Sequence, residues 1–384
     1  MYICIISRGY PTDRYKMNGI FEYDQAKALA QAGQKVVMAV IDLRSFRRKR
    51  KWGLERLSQD GVEIYALNVP VGRCPLPLFN RIGMWALRRL SRIIEREQGK
   101  PDILHSHFTD ISCIASDWAE RERIPFVVTE HNSQINEEVI PPSLIKEAKV
   151  AYQSADRVIA VGRPLAEKIQ RISGISAAVI GNVVDARQFA DNGSPSPETG
   201  EFRFVSTGSL IPRKRMDLLL ECFAAFHKAH PDSSLTIFGD GPMKPALQQY
   251  IAENRLEACV RLMGLCSREQ MVAAYKTGSA FVLPSRTETF GVAYIEAMAA
   301  GLPVIATRCG GPEDFVTKEN GVLIPVDDKN ALSDAMESMF VHRASYDRQR
   351  ISEGILAQFS PQAIAAELIG VYQPLLETHR EDSL

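Results

Sequence analysis

Short apolar runs alternate with segments of helical length along nearly the whole chain, and the series runs twice. In the first half the runs are Tyr2–Ser7, a strand inside QAGQKVVMAVI, Val62–Leu67, Ile103–His105, Phe126–Thr129 and Arg157–Val161, with a helix expected over Ile20–Ala32. The segment DNGSPSPETGE, 191–201, then interrupts the pattern with Gly, Pro and Ser and no aliphatic residue, so it reads as a linker. The series restarts with FRFVSTG, SLTIFG, CVRLMG, SAFVLP, PVIAT and GVLIP, separated by helical stretches over Met216–His230, Lys244–Asn254, Glu269–Lys276 and Val292–Ala300. Strand-helix alternation of this kind builds a parallel sheet covered by helices on both faces. Two doubly wound α/β domains in tandem are therefore expected, 1–190 and 200–358. Ligands of such sheets bind beyond the carboxyl ends of the strands, so two such domains facing each other would make a cleft.

The chain has 384 residues, enough for two domains of this kind, and 45% hydrophobic with 24% charged residues is the composition of a globular protein. Seven scattered cysteines show no metal-type spacing and read as buried small hydrophobes in a reducing compartment. The start MYICIISRGYP turns polar too soon for a signal peptide, and no apolar run looks long enough to span a bilayer. A cytoplasmic protein is expected, at most resting on the inner face of the plasma membrane. Net charge is zero, but residues 1–190 carry 28 basic against 21 acidic groups and residues 191–384 carry 18 against 25. Residues 44–96 alone hold 13 basic and 4 acidic groups, with Trp52, Phe79 and Trp85 interleaved. Peripheral contact with anionic lipid is one reading of that stretch, and a solvated basic face is the other. No nucleic-acid motif accompanies the charge.

The chemistry-bearing residues concentrate in SRTETFGVAYIEAMAAGLPVIAT, 285–307. Glu288 and Glu296 stand eight apart across Thr289, Phe290 and Gly291 at a strand-to-helix junction. Backbone N–H groups at Phe290 and Gly291 would be free to hold an anion at the helix N-terminus, and Gly291 lets it approach closely. The carboxylates on either side suit hydroxyl-rich groups, a sugar at Glu288 and a ribose at Glu296. The plain alternative is a capping acid followed by a solvated helix glutamate. In GSLIPRKRMDLL, 208–219, Lys214 sits between Arg213 and Arg215 in a loop where it could neutralise a leaving diphosphate, or be a solvated turn. FGDGPMKPAL, with Gly239, is a glycine-rich turn of low specificity.

Together these segments resemble the retaining GT-B glycosyltransferases of family 4, densely over 208–325 and more loosely elsewhere. The resemblance implies a GT-B fold and a nucleotide-sugar donor. It places Glu288 on the donor sugar, Glu296 on the ribose and Lys214 on the diphosphate, beside Gly208, Ser209, Arg213 and the backbone of Thr289, Phe290 and Gly291. Gly264 and Leu265 would belong to the loop that cradles the base. In the first half it implies a phosphate-facing turn at Gly19, a sugar-side histidine at His107, and Glu130 and His131 on the acceptor side. It also implies that a terminal helix, 359–378, returns to the first domain. Where the family often has an arginine after Gly208 this chain has Ser209, so the expectation is either that Arg213 or Arg215 compensates or that phosphate binding is weaker.

The implied reaction retains anomeric configuration and delivers a hexose-type sugar to a glycan or polyprenyl-linked acceptor, in cell-surface polysaccharide synthesis. No Asp-x-Asp occurs, so neither a metal nor any cofactor beyond the nucleotide-sugar is expected. The base loop, 264–268, has no carboxylate for guanine, which favours a UDP-sugar over a GDP-sugar. A nucleotide-sugar epimerase and a non-catalytic scaffold share this plan, but the retained Glu288, Glu296, Lys214 and His107 favour transfer. A nicotinamide oxidoreductase would need G-x-G-x-x-G where the chain has SRGYPTDRYKMNG.

Overall fold

The computed structural model describes residues 1–44, 50–72, 74–137, 139–190 and 200–381. The expected linker, up to residue 199, and residues 45–49 of the basic run lie outside them. The chain forms two compact α/β units, one of residues 1–183 with 361–384 and one of residues 184–360.

In the first unit β1 (Tyr2–Ser7), β2 (Lys35–Asp42), β3 (Gly53–Gln59), β4 (Val62–Asn68), β5 (Ile103–His107), β6 (Phe126–Glu130), β7 (Arg157–Ala160) and β8 (Ala177–Val179) form one sheet. Its order is β3-β4-β2-β1-β5-β6-β7-β8. All pairings are parallel except the β3–β4 hairpin. Every residue of β1, β5 and β6 is buried, because helices cover both faces of a parallel sheet. Those helices are α1 (Ile20–Gln31), α2 (Leu76–Gln98), α3 (Thr109–Glu122), α4 (Pro142–Gln153) and α5 (Arg163–Ser173).

The second unit holds β9 (Phe202–Thr207), β10 (Ser233–Phe238), β11 (Val260–Gly264), β12 (Ala280–Leu283), β13 (Val304–Thr307) and β14 (Gly321–Ile324). They form a wholly parallel sheet of order β11-β10-β9-β12-β13-β14. Around it lie α6 (Met216–Ala229), α7 (Lys244–Glu253), α8 (Arg268–Thr277), α9 (Val292–Ala299), α10 (Lys329–Val341) and α11 (Arg348–Phe359). Phe204, Phe223, Phe281, Tyr275 and Tyr294 fill its core.

The last helix, α12 (Pro361–Glu381), packs on α1 in the first unit. Its buried Tyr372 donates to, or accepts from, Nδ1 of His105 at 2.6 Å. No unbroken apolar run of bilayer length was expected; by length and composition alone, the helical stretch Arg348–His379 is long and apolar enough to cross one. Its apolar content is explained by packing: Ile351, Ile355, Ile364, Ala365, Leu368 and Tyr372 are buried in the protein, and Ser360 is extended between α11 and α12.

Candidate functional site

In the second unit the carboxyl ends of β9, β10 and β11 are tied together through backbone. Gly208 N–H donates to Phe238 O at 3.0 Å, Gly239 N–H to Gly264 O at 2.9 Å, and Leu210 N–H to Asp240 O at 3.0 Å. Gly239 has φ 139°, and a Cβ there would lie 1.9 Å from Gly208 O. Only glycine permits that approach, so three successive strand ends present a floor of backbone. Leu265, just past Gly264, is 84% exposed, and Ser209 is exposed beside Gly208.

After β9 the chain makes a 3-10 turn at Pro212–Lys214 and enters α6 through Arg215, which has φ 52°. The turn directs Lys214 onto Glu288. Lys214 Nζ contacts Glu288 Oε1, and both side chains are nearly buried, at 14% and 10% exposed. Ser285 Oγ donates to the same oxygen at 2.7 Å. The Glu288 backbone is itself knitted to the loop after β13: its N–H donates to Cys309 O at 3.1 Å, and Gly311 N–H donates to its carbonyl at 2.9 Å. Residues 74 apart in sequence thus meet as a buried ion pair beyond the strand ends.

Phe290 is buried against Phe315 and Phe359, which fixes the turn into α9. Gly291 caps that helix with φ 103° and, as a glycine, gives its N-terminal amides no side-chain cap; Thr289 before it is half-buried. Glu296 follows in the second turn, 12% exposed, with Arg268 Nη2 at 3.7 Å from Oε1. Burial pushes its carboxyl up to about 7, against the pull of Arg268. Arg268 also donates to Asp185 O at 3.0 Å and lies 5.2 Å over the Phe189 ring.

Arg215, one of the arginines considered as a substitute at position 209, is ion-paired to Asp217 and to Asp327. Arg213 donates to Thr287 O at 3.3 Å and stays half-buried beside Lys214.

In the first unit, β5 and β6 end side by side and stack three histidines. The ring centroids of His105 and His107 are 4.7 Å apart, and those of His107 and His131 5.1 Å. His105 has both nitrogens engaged, Nδ1 by Gln25 and Tyr372 and Nε2 by Thr129, as befits a structural group. His107 shares Nδ1 with His131 Nε2 at 2.9 Å, while its buried Nε2 has no hydrogen-bond partner among the described residues. Burial and the neighbouring histidines hold His107 far below its ordinary value, and burial pushes His105 and His131 down to about 3. All three rings are neutral at neutral pH.

Glu130 was expected on the acceptor side, yet its carboxylate is wholly buried. It accepts from Thr109 Oγ1, from Tyr152 OH at 2.8 Å, and from the amides of His131 and Asn132 at 2.9 and 2.8 Å. It supports the His131 loop from within. Gly19 caps α1 with φ 65°, and a Cβ there would lie 2.1 Å from Gly9 O. The strand-β1 loop and the α1 turn therefore touch through backbone.

Sequence reasoning missed two residues beside these groups. Arg8 lies 4.0 Å over the Phe108 ring and pairs with Asp110 at 3.0 Å. Phe108 itself has φ 68° and ψ 147°, a region nearly confined to glycine, directly after His107. No motif marks either; only the fold brings Arg8 of the first strand end to the fifth.

The Glycosyltransferase Family 4 model matches residues 21–188, and the Glycosyl transferases group 1 model matches residues 188–354. A glycosyltransferase of Methanocaldococcus jannaschii is 27% identical over 61% of this chain and 64% of its own length. TuaC of Bacillus subtilis, assigned to teichuronic acid biosynthesis, is 26% identical over 98% of this chain and all of its own. Among solved structures, Anabaena HepE in complex with UDP superposes with a TM-score of 0.70 at 17% identity, covering 96% of this chain and 98% of HepE. Two matched models in tandem over residues 21–354, on two α/β units, support a GT-B, family 4-like glycosyltransferase.

Proposed function

We propose that this transferase moves a hexose-type sugar from a UDP-sugar to a glycan or lipid-linked acceptor, with retention and without a metal, in the assembly of a cell-surface polysaccharide. The observation that carries the proposal is the buried Lys214–Glu288 pair beside the uncapped N-terminus of α9. An ammonium and free backbone amides at one set of strand ends suit a leaving diphosphate, and neighbouring carboxylates suit sugar and ribose hydroxyls. As the bond between the anomeric carbon and the phosphate oxygen breaks, Lys214, Arg213 and the α9 amides take up the charge on the departing oxygen. The acceptor hydroxyl bonds to the same face of the anomeric carbon and gives its proton to that phosphate oxygen. Glu288 holds the sugar, and His107, neutral and with Nε2 unpartnered among the described residues, is suited to a hydrogen bond with a hydroxyl rather than to charge stabilisation.

A uridine base is supported by the lack of a carboxylate in 264–268 and by the UDP bound in HepE. A surface-polymer acceptor is supported by the assignment of TuaC. The test is incubation with UDP-, GDP- and ADP-hexoses in the presence of a chelator, followed by NMR of the transferred sugar. Turnover of a UDP-hexose with the donor's anomeric configuration supports the proposal. Dependence on added metal, or an inverted product, refutes the corresponding part.

A further inference from the structure

Helix α2 is 23 residues long and has two faces of opposite character. Ala86, Leu87, Leu90 and Ile94 are buried in the first unit. On the opposite side Leu78, Arg81, Trp85, Arg89, Arg92 and Arg96 follow at three- and four-residue spacing, all exposed. That line runs about 27 Å along the helix. Its arginines border a groove of about 780 Å³ in which Trp85 also lies.

The charges on this face are not balanced locally. Arg88 pairs with Asp117, whereas Arg81, Arg89, Arg92 and Arg96 have no ion-pair partner among the described residues. Arg89 lies 6.0 Å over the Trp85 ring, which is 54% exposed, and Leu78 is 48% exposed at the N-terminal end. A solvated basic face needs no exposed tryptophan or leucine in register with its arginines. A nucleic acid would neutralise the arginines and leave Leu78 in water. A bilayer surface rewards both, with phosphates for the guanidinium groups and an acyl boundary for the two apolar side chains.

We propose that the exposed face of α2 docks the first unit on an anionic phospholipid surface. Arg81, Arg89, Arg92 and Arg96 sit among the headgroup phosphates, and Trp85 and Leu78 dip towards the acyl chains. This deepens the reading of a lipid-side acceptor, but docking is measured with neither donor nor acceptor present, so the two can fail separately.

The test is co-sedimentation of the full chain with vesicles of phosphatidylcholine alone or mixed with phosphatidylglycerol, at rising salt. Binding is expected to the mixed vesicles only and to weaken with salt. Each arginine near the surface contributes about fivefold to partitioning, so Arg89→Gln/Arg92→Gln should lose roughly 25-fold. Trp85→Ser should also weaken binding, and in the wild type brominated lipid should quench fluorescence that Trp85→Phe lacks. Because these side chains are exposed, the variants should keep the wild-type melting temperature and nucleotide affinity, which separates docking from folding. Equal binding to neutral and anionic vesicles, or unchanged binding by the double variant, overturns the proposal. So does binding to a soluble acidic polysaccharide as tight as to vesicles with Trp85→Ser indifferent, which would mark a polyanion site instead.

Discussion

Glu296 stands at the junction of stability and binding, and its environment sets a pH dependence that can be worked through. Its carboxyl is pushed up to about 7 by burial, with Arg268 at 3.7 Å opposing the shift. If ribose hydroxyls donate to it, only the carboxylate binds well. The ionised fraction falls from about 0.9 at about pH 8 to about 0.1 at about pH 6, so nucleoside diphosphate affinity should drop roughly tenfold between them. Arg268→Gln removes the opposing cation. Because Arg268 is 46% exposed, solvent screening limits its effect, and the midpoint should move up by only about half to one pH unit.

Stability runs the other way. A carboxyl raised in the folded state favours folding fully below its unfolded value of 4.5, and that contribution is lost as pH rises through about 7. Above that pH the empty protein carries a buried charge whose cost is on the order of 3 kcal/mol. Glu296→Gln should therefore raise the melting temperature of the empty protein by several degrees at about pH 8 and by little at about pH 4, while abolishing nucleotide binding. Calorimetry of the two proteins across this range, with UDP titrations at each pH, is the assay. An affinity that does not change with pH, together with a Glu296→Gln melting temperature at or below wild type at high pH, would refute the reasoning.

Other perturbations have outcomes as definite. Lys214→Ala leaves Glu288 buried without its cation and should cost about 3 kcal/mol in thermal denaturation, partly recovered in Lys214→Ala/Glu288→Ala. Gly239→Ala puts a Cβ 1.9 Å from Gly208 O and should weaken donor binding with a loss of at least about 2 kcal/mol in stability, read by titration and melting. His105, His107 and His131 are all held neutral by burial, so the unfolded chain takes up protons from about pH 6.5 downward while the folded one does not. Stability from these rings is intact above that pH and should fall by up to about 4 kcal/mol per pH unit below it, which acid denaturation of wild type and His105→Gln would read.

Much of the second unit was legible because its strands are parallel and covered on both faces, so FRFVSTG, SAFVLP and PVIAT stand out as bare apolar runs. The first unit hid β3, an edge strand of largely exposed GLERLSQ, although its turn at Asp60-Gly61 (φ 53° and 80°) is written in the sequence as a hairpin signal. Strand β8 is only three residues of small apolar side chains and carries no period. Spacing placed Glu288 before α9 and Glu296 within it, since both lie on one short segment. Partners drawn from distant segments were not visible: Asp327 on Arg215, Arg268 on Glu296, and Arg8 on Phe108 all join different strand ends. Glu130 drew its acceptor-side place from the family resemblance alone, which does not show that its carboxylate is buried and accepts from the amides of its own loop.

The most direct test of the account is donor cleavage and binding by wild type and Glu288→Ala, with UDP-sugars and UDP titrated in parallel in chelator. The account predicts that wild type binds both and slowly releases UDP from one sugar donor, whereas Glu288→Ala still binds UDP through Glu296 and the glycine floor but no longer cleaves the donor. A wild-type protein that binds no nucleoside diphosphate, or a Glu288→Ala protein that cleaves the donor as fast as wild type, would contradict it.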